Sequence, residues 1–263
     1  MNKKENKFQY IYEKEIFTEA YDFFFQDSNI FIGAGPCSLE SEAQIFQTAE
    51  FLLSNNISYI RCFPYKIRSD PYSFQGLQTE GIPIIKKLKQ KYPKLKIISE
   101  VYSQEQFHSL EGITDIFQIG TRFMYHRELI ELLGKKNSPC ILKRGFQATV
   151  SEWLLSSEYY LARGGRKIIL CERGIRTFES SVRNSFDITS ILSVREQSKI
   201  PVIIDPSHIL GKTSGIEAIS KAALIAGYNG LLIETHPIPL QALSDKKQQL
   251  TFEQFKLFLN FLK

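Results

Sequence analysis

A closed (β/α)8 barrel, the TIM-barrel class, is the fold this sequence predicts, and three observations predict it. The chain has 263 residues, and barrels of this kind run to about 250. Eight short apolar runs alternate with eight segments of helical period, the pattern of a parallel sheet covered by helices. No G-x-G-x-x-G turn follows the first run, which argues against the open doubly wound sheet that the same alternation allows.

The runs, in order, are NIFIGAGPCS (29–38), ISYIRCF (57–63), LKIISEV (95–101), TDIFQIG (114–120), PCILKRG (139–145), RKIILCERG (166–174), PVIIDPSH (201–208) and GLLIETHP (230–237). Each is short and continuously apolar, as a strand buried on both faces must be. Amphipathic segments at 41–54, 79–92, 103–110, 127–133, 149–163, 188–199 and 215–227 separate them, and TFEQFKLFLNFLK closes the chain. No low-complexity linker interrupts the series. Residues 29–263 therefore read as one barrel domain. Residues 1–28 read as an N-terminal extension that covers one end of it or helps subunits pack.

Composition bounds the function. Hydrophobic residues make up 43% and charged residues 23%, enough apolar content for a large core and too little charge for disorder. No run of 18 apolar residues exists, and the polar N-terminus lacks a signal-peptide pattern, so a soluble, cytoplasmic protein is expected. Cys37, Cys62, Cys140 and Cys171 form no CxxC pair and read as reduced, mostly buried thiols. The net charge of +5 is scattered along the chain, unlike the clustered basic stripe of a nucleic-acid binder.

The C-terminal ends of the eight runs carry the chemistry: Cys37, Arg61, Glu100, Arg122, Lys143–Arg144, Glu172–Arg173, Asp205–His208 and Glu234–His236. In a barrel these ends converge on the face where active sites lie. Cys37, His208, Glu234 and Asp245 come from runs one, seven and eight and the loop after eight, which are neighbours once the sheet closes. One thiolate, one imidazole and two carboxylates suit manganese, iron, cobalt, zinc or copper better than magnesium or calcium. On spacing alone, a core thiol and a satisfied core histidine explain Cys37 and His208 equally well. Arg61, Lys66, Arg68, Arg122, Lys143, Arg144, Arg173 and Arg183 all follow strand ends. That many cations suit one or two phosphorylated substrates.

In order, GPCSLES, KIRSDPYSFQG, ISEV, QIGTR, ILKRG, IILCERGIRTFE, RNSFDI, DPSH, ETHP and ALSD cover residues 30 to 260. This set resembles the short type-I branch of 3-deoxy-D-arabino-heptulosonate 7-phosphate (DAHP) synthases, within the family that also holds 3-deoxy-D-manno-octulosonate 8-phosphate (KDO8P) synthases. The resemblance implies a TIM barrel, usually a homo-oligomer (dimer or tetramer). It implies condensation of phosphoenolpyruvate with erythrose 4-phosphate and release of phosphate, the first step of the shikimate pathway. It also implies that Cys37, His208, Glu234 and Asp245 bind one divalent metal, and that Arg61, Lys66, Arg122, Lys143 and Arg173 hold phosphoenolpyruvate. Glu100 would line the same pocket, Arg68 and Ser69 would grip the aldose phosphate, and Asp187 would lie near the aldehyde. The metal would polarise the aldehyde carbonyl. Lys66 is the expected donor to the new alkoxide, and Glu100 or Asp187 the group that handles the water.

Four departures from the family pattern stand out: Cys62 and Phe63 in RCFPYKIR, where the family has a form close to RGGAFKPR; Ile67 in place of proline in the same segment; QIGTRFM in place of QIGARN; and GKTSG in place of GRRD. Cys62, Phe63, Ile67 and Phe123 thus crowd the aldose side. They leave arabinose 5-phosphate, the KDO8P synthase acceptor, as the alternative, alongside a catalytically silent binding barrel. The chain length leaves no room for the regulatory domains some relatives carry, so inhibition by aromatic amino acids is not expected.

Overall fold

A computed structural model of the chain describes residues 8–12, 14–26, 28–68 and 70–262. Helix α1 (Lys14–Phe24) precedes strands β1 (Phe31–Gly35), β2 (Tyr59–Arg61), β3 (Lys96–Val101), β4 (Ile116–Ile119), β5 (Cys140–Lys143), β6 (Ile168–Glu172), β7 (Val202–Ile204) and β8 (Gly230–Glu234). Between and after the strands lie α2 (Glu42–Ser54), α3 (Gly81–Lys91), α4 (Gln104–Leu110), α5 (Arg127–Lys135), α6 (Val150–Ala162), α7 (Ser190–Gln197), α8 (Pro206–Leu210), α9 (Ile216–Ala226) and α10 (Phe252–Leu262). Every pairing is parallel, and β1 pairs with both β2 and β8, so the sheet closes into an eight-stranded barrel. Each strand falls inside its predicted run. Helix α8, a single turn after β7, has no counterpart among the expected elements because five residues are too few to show a period.

Successive strand residues face opposite sides, and the two faces form two separate cores. The outward residues, among them Ile97, Ile119, Leu142, Leu170, Ile204 and Ile233, pack under the helices. The inward ones, Phe31, Ile98, Ile116, Ile141, Ile169, Ile203 and Leu232, fill the barrel. One step of two residues further along each strand, the interior changes character. Tyr59 is followed by Arg61, Ile98 by Glu100, Ile116 by Gln118, Ile141 by Lys143, Ile169 by Cys171 and then Arg173, Ile203 by Asp205, and Leu232 by Glu234. The apolar layer is the floor on which the polar layer stands.

The opposite end is closed by α1. Phe24 is buried and meets Phe31 edge-on at 5.9 Å, and Phe31 in turn lies 4.6 Å from Tyr59. The Tyr59 hydroxyl donates to the Phe24 carbonyl at 3.2 Å, which ties the helix terminus to β2. Removing the ring would leave a cavity at the base of the interior column. Phe24→Ala is expected to lower unfolding stability by about 3–5 kcal/mol, read as the shift in a chemical denaturation midpoint. A change under about 1 kcal/mol would mean that α1 does not close the barrel in solution. Among the described residues, no helix is long and apolar enough to cross a membrane, and all four cysteines are free and buried.

Candidate active site

The polar layer opens into a cavity of about 200 Å³ at the C-terminal mouth of the barrel. Six cations line it: Lys66, Arg68, Arg122, Lys143, Arg173 and Arg183. Glu100, His208 and Asp245 also reach it. Of the residues proposed from sequence, Ser69 lies outside the described residues.

Cys37 ends the first strand's extension, and Glu234 ends β8. Both are fully buried. Asp245 comes from the loop after β8, and its backbone sits in the left-handed region at φ 44°. Donor atoms of Cys37, Glu234 and Asp245 all lie within 4.8 Å of one another, and the thiol donates to Asp245 Oδ2 at 3.2 Å. His208 stands outside that triad, but its Nε2 is 3.7 Å from Glu234 Oε1. Asp205 places it there. As N-cap of α8 it accepts from the His208 backbone N–H at 3.0 Å, and Pro206 takes the first helical position, where its missing N–H costs nothing. The other Asp205 oxygen bonds His208 Nδ1 at 2.7 Å, which leaves Nε2 as the free ligating nitrogen. Burial pushes the His208 pKa down despite the carboxylates of Asp205 and Glu234, which favours the neutral, ligating form of the imidazole.

The donor set fits a divalent transition metal. Burial and the Glu234 charge push the Cys37 thiol up, so a thiolate needs a cation beside it. Burial disfavours the charged forms of Glu234 and Asp245, yet both are held below the usual carboxylate range, Glu234 by His208, Arg61 and Lys66, and Asp245 by Lys66, His208 and Arg183. Lys66 donates to the Cys37 carbonyl at 3.2 Å. Burial alone would lower its pKa, but Cys37, Glu234 and Asp245 raise it, and the ammonium keeps its proton.

Arg61 is fully buried below the cavity and does not line it. Its guanidinium bonds Glu234 Oε1 at 2.7 Å and rests on the Phe63 ring at 4.7 Å. Phe63, one of the bulky departures, is therefore a support for Arg61 within the barrel interior. Cys62 points the other way, into the outer core. Phe123 lines the cavity and packs on Tyr102 at 5.6 Å.

Lys143 is bound by Asp205 at 2.5 Å, and Glu100 accepts from Gln118 at 2.6 Å. Glu100 covers Gly120 closely, for a Cβ there would lie 2.3 Å from Glu100 Oε1. Arg173 is 2% exposed, makes no salt bridge among the described residues, and leaves its Nε unpartnered. Burial, helped by the nearby Arg183 charge, lowers its pKa to about 10. The guanidinium groups of Arg122, Arg173 and Arg176 lie 5.7, 4.8 and 4.2 Å from the centre of one ring, Phe146. Phe146 was not identified from the sequence because nothing local marks a ring as a platform for cations. Arg183 crosses Gly211, where a Cβ would meet Arg183 Cβ at 2.7 Å, and reaches Asp245 at 3.5 Å and Gln248 at 2.7 Å.

Asp187 and Arg144 do not reach the cavity. Arg144 is one residue out of phase with Lys143, so it faces outward over Trp153. There it bonds Glu172, also out of phase, at 2.6 Å and Asp187 at 2.7 Å. Glu172 further accepts the backbone N–H groups of Arg173 and Gly174. The expected role of Asp187 near the aldehyde gives way to a place in this network, which fixes the turn that presents Arg173.

Residues 23–263 match the model of the DAHP synthetase I family. A phospho-2-dehydro-3-deoxyheptonate aldolase of Thermotoga maritima is 41% identical over 230 residues, covering 88% of this chain and 68% of the relative. A 2-dehydro-3-deoxyphosphooctonate aldolase of Francisella philomiragia is 28% identical over 253 residues, covering 89% of this chain and 90% of that protein. The crystal structure of the Thermotoga maritima DAHP synthase superposes with a TM-score of 0.83 at 41% identity, over 87% of this chain and 67% of that one. A truncated form of the Thermotoga maritima synthase gives 0.80 at 39% identity, over 87% and 83%. By family model, sequence identity and barrel geometry together, this chain belongs to the DAHP synthetase I family.

Proposed function

We propose that this protein condenses phosphoenolpyruvate with erythrose 4-phosphate and water to give DAHP and inorganic phosphate. The observation that carries the reading is the placement of a thiol–carboxylate triad at the base of a cavity lined by six cations. Two phosphorylated substrates repel each other in water. Arginine forks and lysines on fixed strand ends hold them together, and such positioning can supply about 7–11 kcal/mol of a barrier.

Cys37, His208, Glu234 and Asp245 would hold one divalent metal, of which manganese, iron, cobalt, zinc and copper are the candidates; when bound, it would supply Lewis acidity to the aldehyde oxygen. Arg122, Lys143 and Arg173 bind phosphoenolpyruvate, and Arg61 acts from below by fixing Glu234. Arg68, with Ser69, takes the aldose phosphate. The new C–C bond joins C3 of the enol to the aldehyde carbon, and Lys66 gives its proton to the oxygen that becomes the alcohol. Water adds at C2, Glu100 takes its proton, and the C–O bond to phosphate breaks. Asp187 acts only through Arg144 and Glu172.

The 41% identity to the Thermotoga maritima enzyme, against 28% to the Francisella one, favours erythrose 4-phosphate. We also take residues 29–263 as the catalytic barrel and 1–28 as its extension, and the assembly as a homo-oligomer in the cytoplasm, with no nucleic-acid or membrane partner. Four free thiols suit a reducing compartment.

The test strips metal with a chelator, then adds back each metal with phosphoenolpyruvate and either aldose. Phosphate release is expected only with metal and erythrose 4-phosphate. Turnover with arabinose 5-phosphate alone would reassign the acceptor, and full activity without metal would remove the metal from the proposal.

A further inference from the structure

The two loops that carry Cys37 and Asp245 are about two hundred residues apart in sequence, and a few side chains join them. Gln249 is the central one. It is 1% exposed, and both ends of its amide are used. Its Oε1 accepts the backbone N–H of Cys37 at 3.0 Å, and its Nε2 donates to the carbonyl of Ser244, the residue before Asp245, at 2.8 Å. Beside it, the hydroxyls of Ser38 and Ser244 meet at 2.8 Å. On the outer side, Glu40 Oε1 accepts from Leu243 N at 2.9 Å, and its Oε2 stands 3.5 Å from His236 Nε2.

This clasp holds a strained element. Asp245 has a side chain in left-handed backbone at φ 44°, a conformation that persists only where its surroundings enforce it. Its neighbour Ser244 is buried and bonded through both its hydroxyl and its carbonyl. Without Gln249, the Cys37 N–H and the Ser244 C=O would lose their partners inside the protein. The two ligand loops could then restore them only by moving apart to admit water.

We propose that Gln249 is a positioning residue that sets the separation of Cys37 from Asp245, and with it the affinity for a divalent cation. The inference rests on the proposed metal site and goes beyond it in naming what preorganises that site. Groups that orient metal ligands typically change affinity by about 10–100-fold when removed.

The test titrates metal-free parent, Gln249→Leu and Gln249→Glu with Co(II). It reads the thiolate-to-cobalt absorption band and a chelator competition, and it measures thermal unfolding of each metal-free form. Gln249→Glu keeps an acceptor for the Cys37 N–H but loses the donor to Ser244. Parent protein is expected to show the band, Gln249→Leu to bind about 10–100-fold more weakly, and Gln249→Glu to lie between them. Should the leucine variant not fold, the glutamate variant alone decides, with a loss of at least threefold expected. Affinity unchanged within threefold in the folded variants, even with a lower melting temperature, would make Gln249 purely structural and overturn the inference alone. A parent protein with no cobalt–thiolate band would overturn the metal reading and this inference with it.

Discussion

Cys37→Ala is expected to cut metal-dependent phosphate release by about a thousandfold while leaving the barrel folded. The thiol is the soft donor of the proposed ligand set, and it is fully buried beneath the cavity. Its removal leaves two carboxylates and an imidazole, which grip a transition metal more weakly and in a different geometry. A Lewis acid at a developing alkoxide supplies several kcal/mol. About 4 kcal/mol corresponds to a thousandfold in rate. The structural cost is small, because one sulfur is deleted and Asp245 keeps its contact with Arg183. Cys140→Ala is the matched control, since Cys140 is equally free but belongs to the outer core under the helices. Steady-state assays with added metal, run beside denaturation curves, separate the two. If Cys37→Ala kept turnover within tenfold of the parent, the thiol would not be a ligand.

Much of this site was legible because barrel geometry turns sequence order into spatial order. Once eight runs are placed, period-two alternation predicts that Ile98 and Glu100, or Leu232 and Glu234, share the interior, with the polar member nearer the mouth. The ligand set needs only the closure of β8 onto β1. What alternation also decides, and a list of strand-end charges does not, is phase. Lys143 and Arg144 are adjacent and both basic, yet one faces the cavity and the other the helices. Asp187, on the loop between β6 and α7, joins Arg144 there through their ion pair at 2.7 Å. Asp205 was visible at its strand end, but its double hold on His208 depends on one turn of helix too short to have a period. Gln248 and Gln249 carry no charge and lie in none of the motifs, and each uses both ends of its amide. Their importance comes from burial, where an amide must satisfy both its ends, and burial is a property of the fold.

Arg173→Met is expected to change stability and activity in opposite directions. The guanidinium is buried and makes no salt bridge among the described residues, and burial and Arg183 lower its pKa although the charges of Asp205 and Glu172 act the other way. Such a cation costs the empty protein free energy. Replacing buried charge by an apolar side chain of similar length is often neutral or stabilising, by about 1–4 kcal/mol. The variant is therefore expected to unfold at equal or higher denaturant concentration than the parent. The same group is the arginine whose charge awaits an anion. Charge-assisted hydrogen bonds are worth about 1.5–3 kcal/mol each, so losing a two-pronged contact to phosphate should lower kcat/KM for phosphoenolpyruvate by about 10²–10⁴. Arg173→Lys keeps a charge but loses the fork, and a guanidinium-sized gap over Phe146 remains; it should recover only part of the activity. A residue that served the fold alone would give the reverse pattern in the methionine variant, with lower stability and unchanged kcat/KM. That outcome would remove Arg173 from the substrate site. The expected signs are opposed because a buried charge without a salt bridge weakens the empty barrel and, in the proposed role, provides the affinity for an anionic substrate.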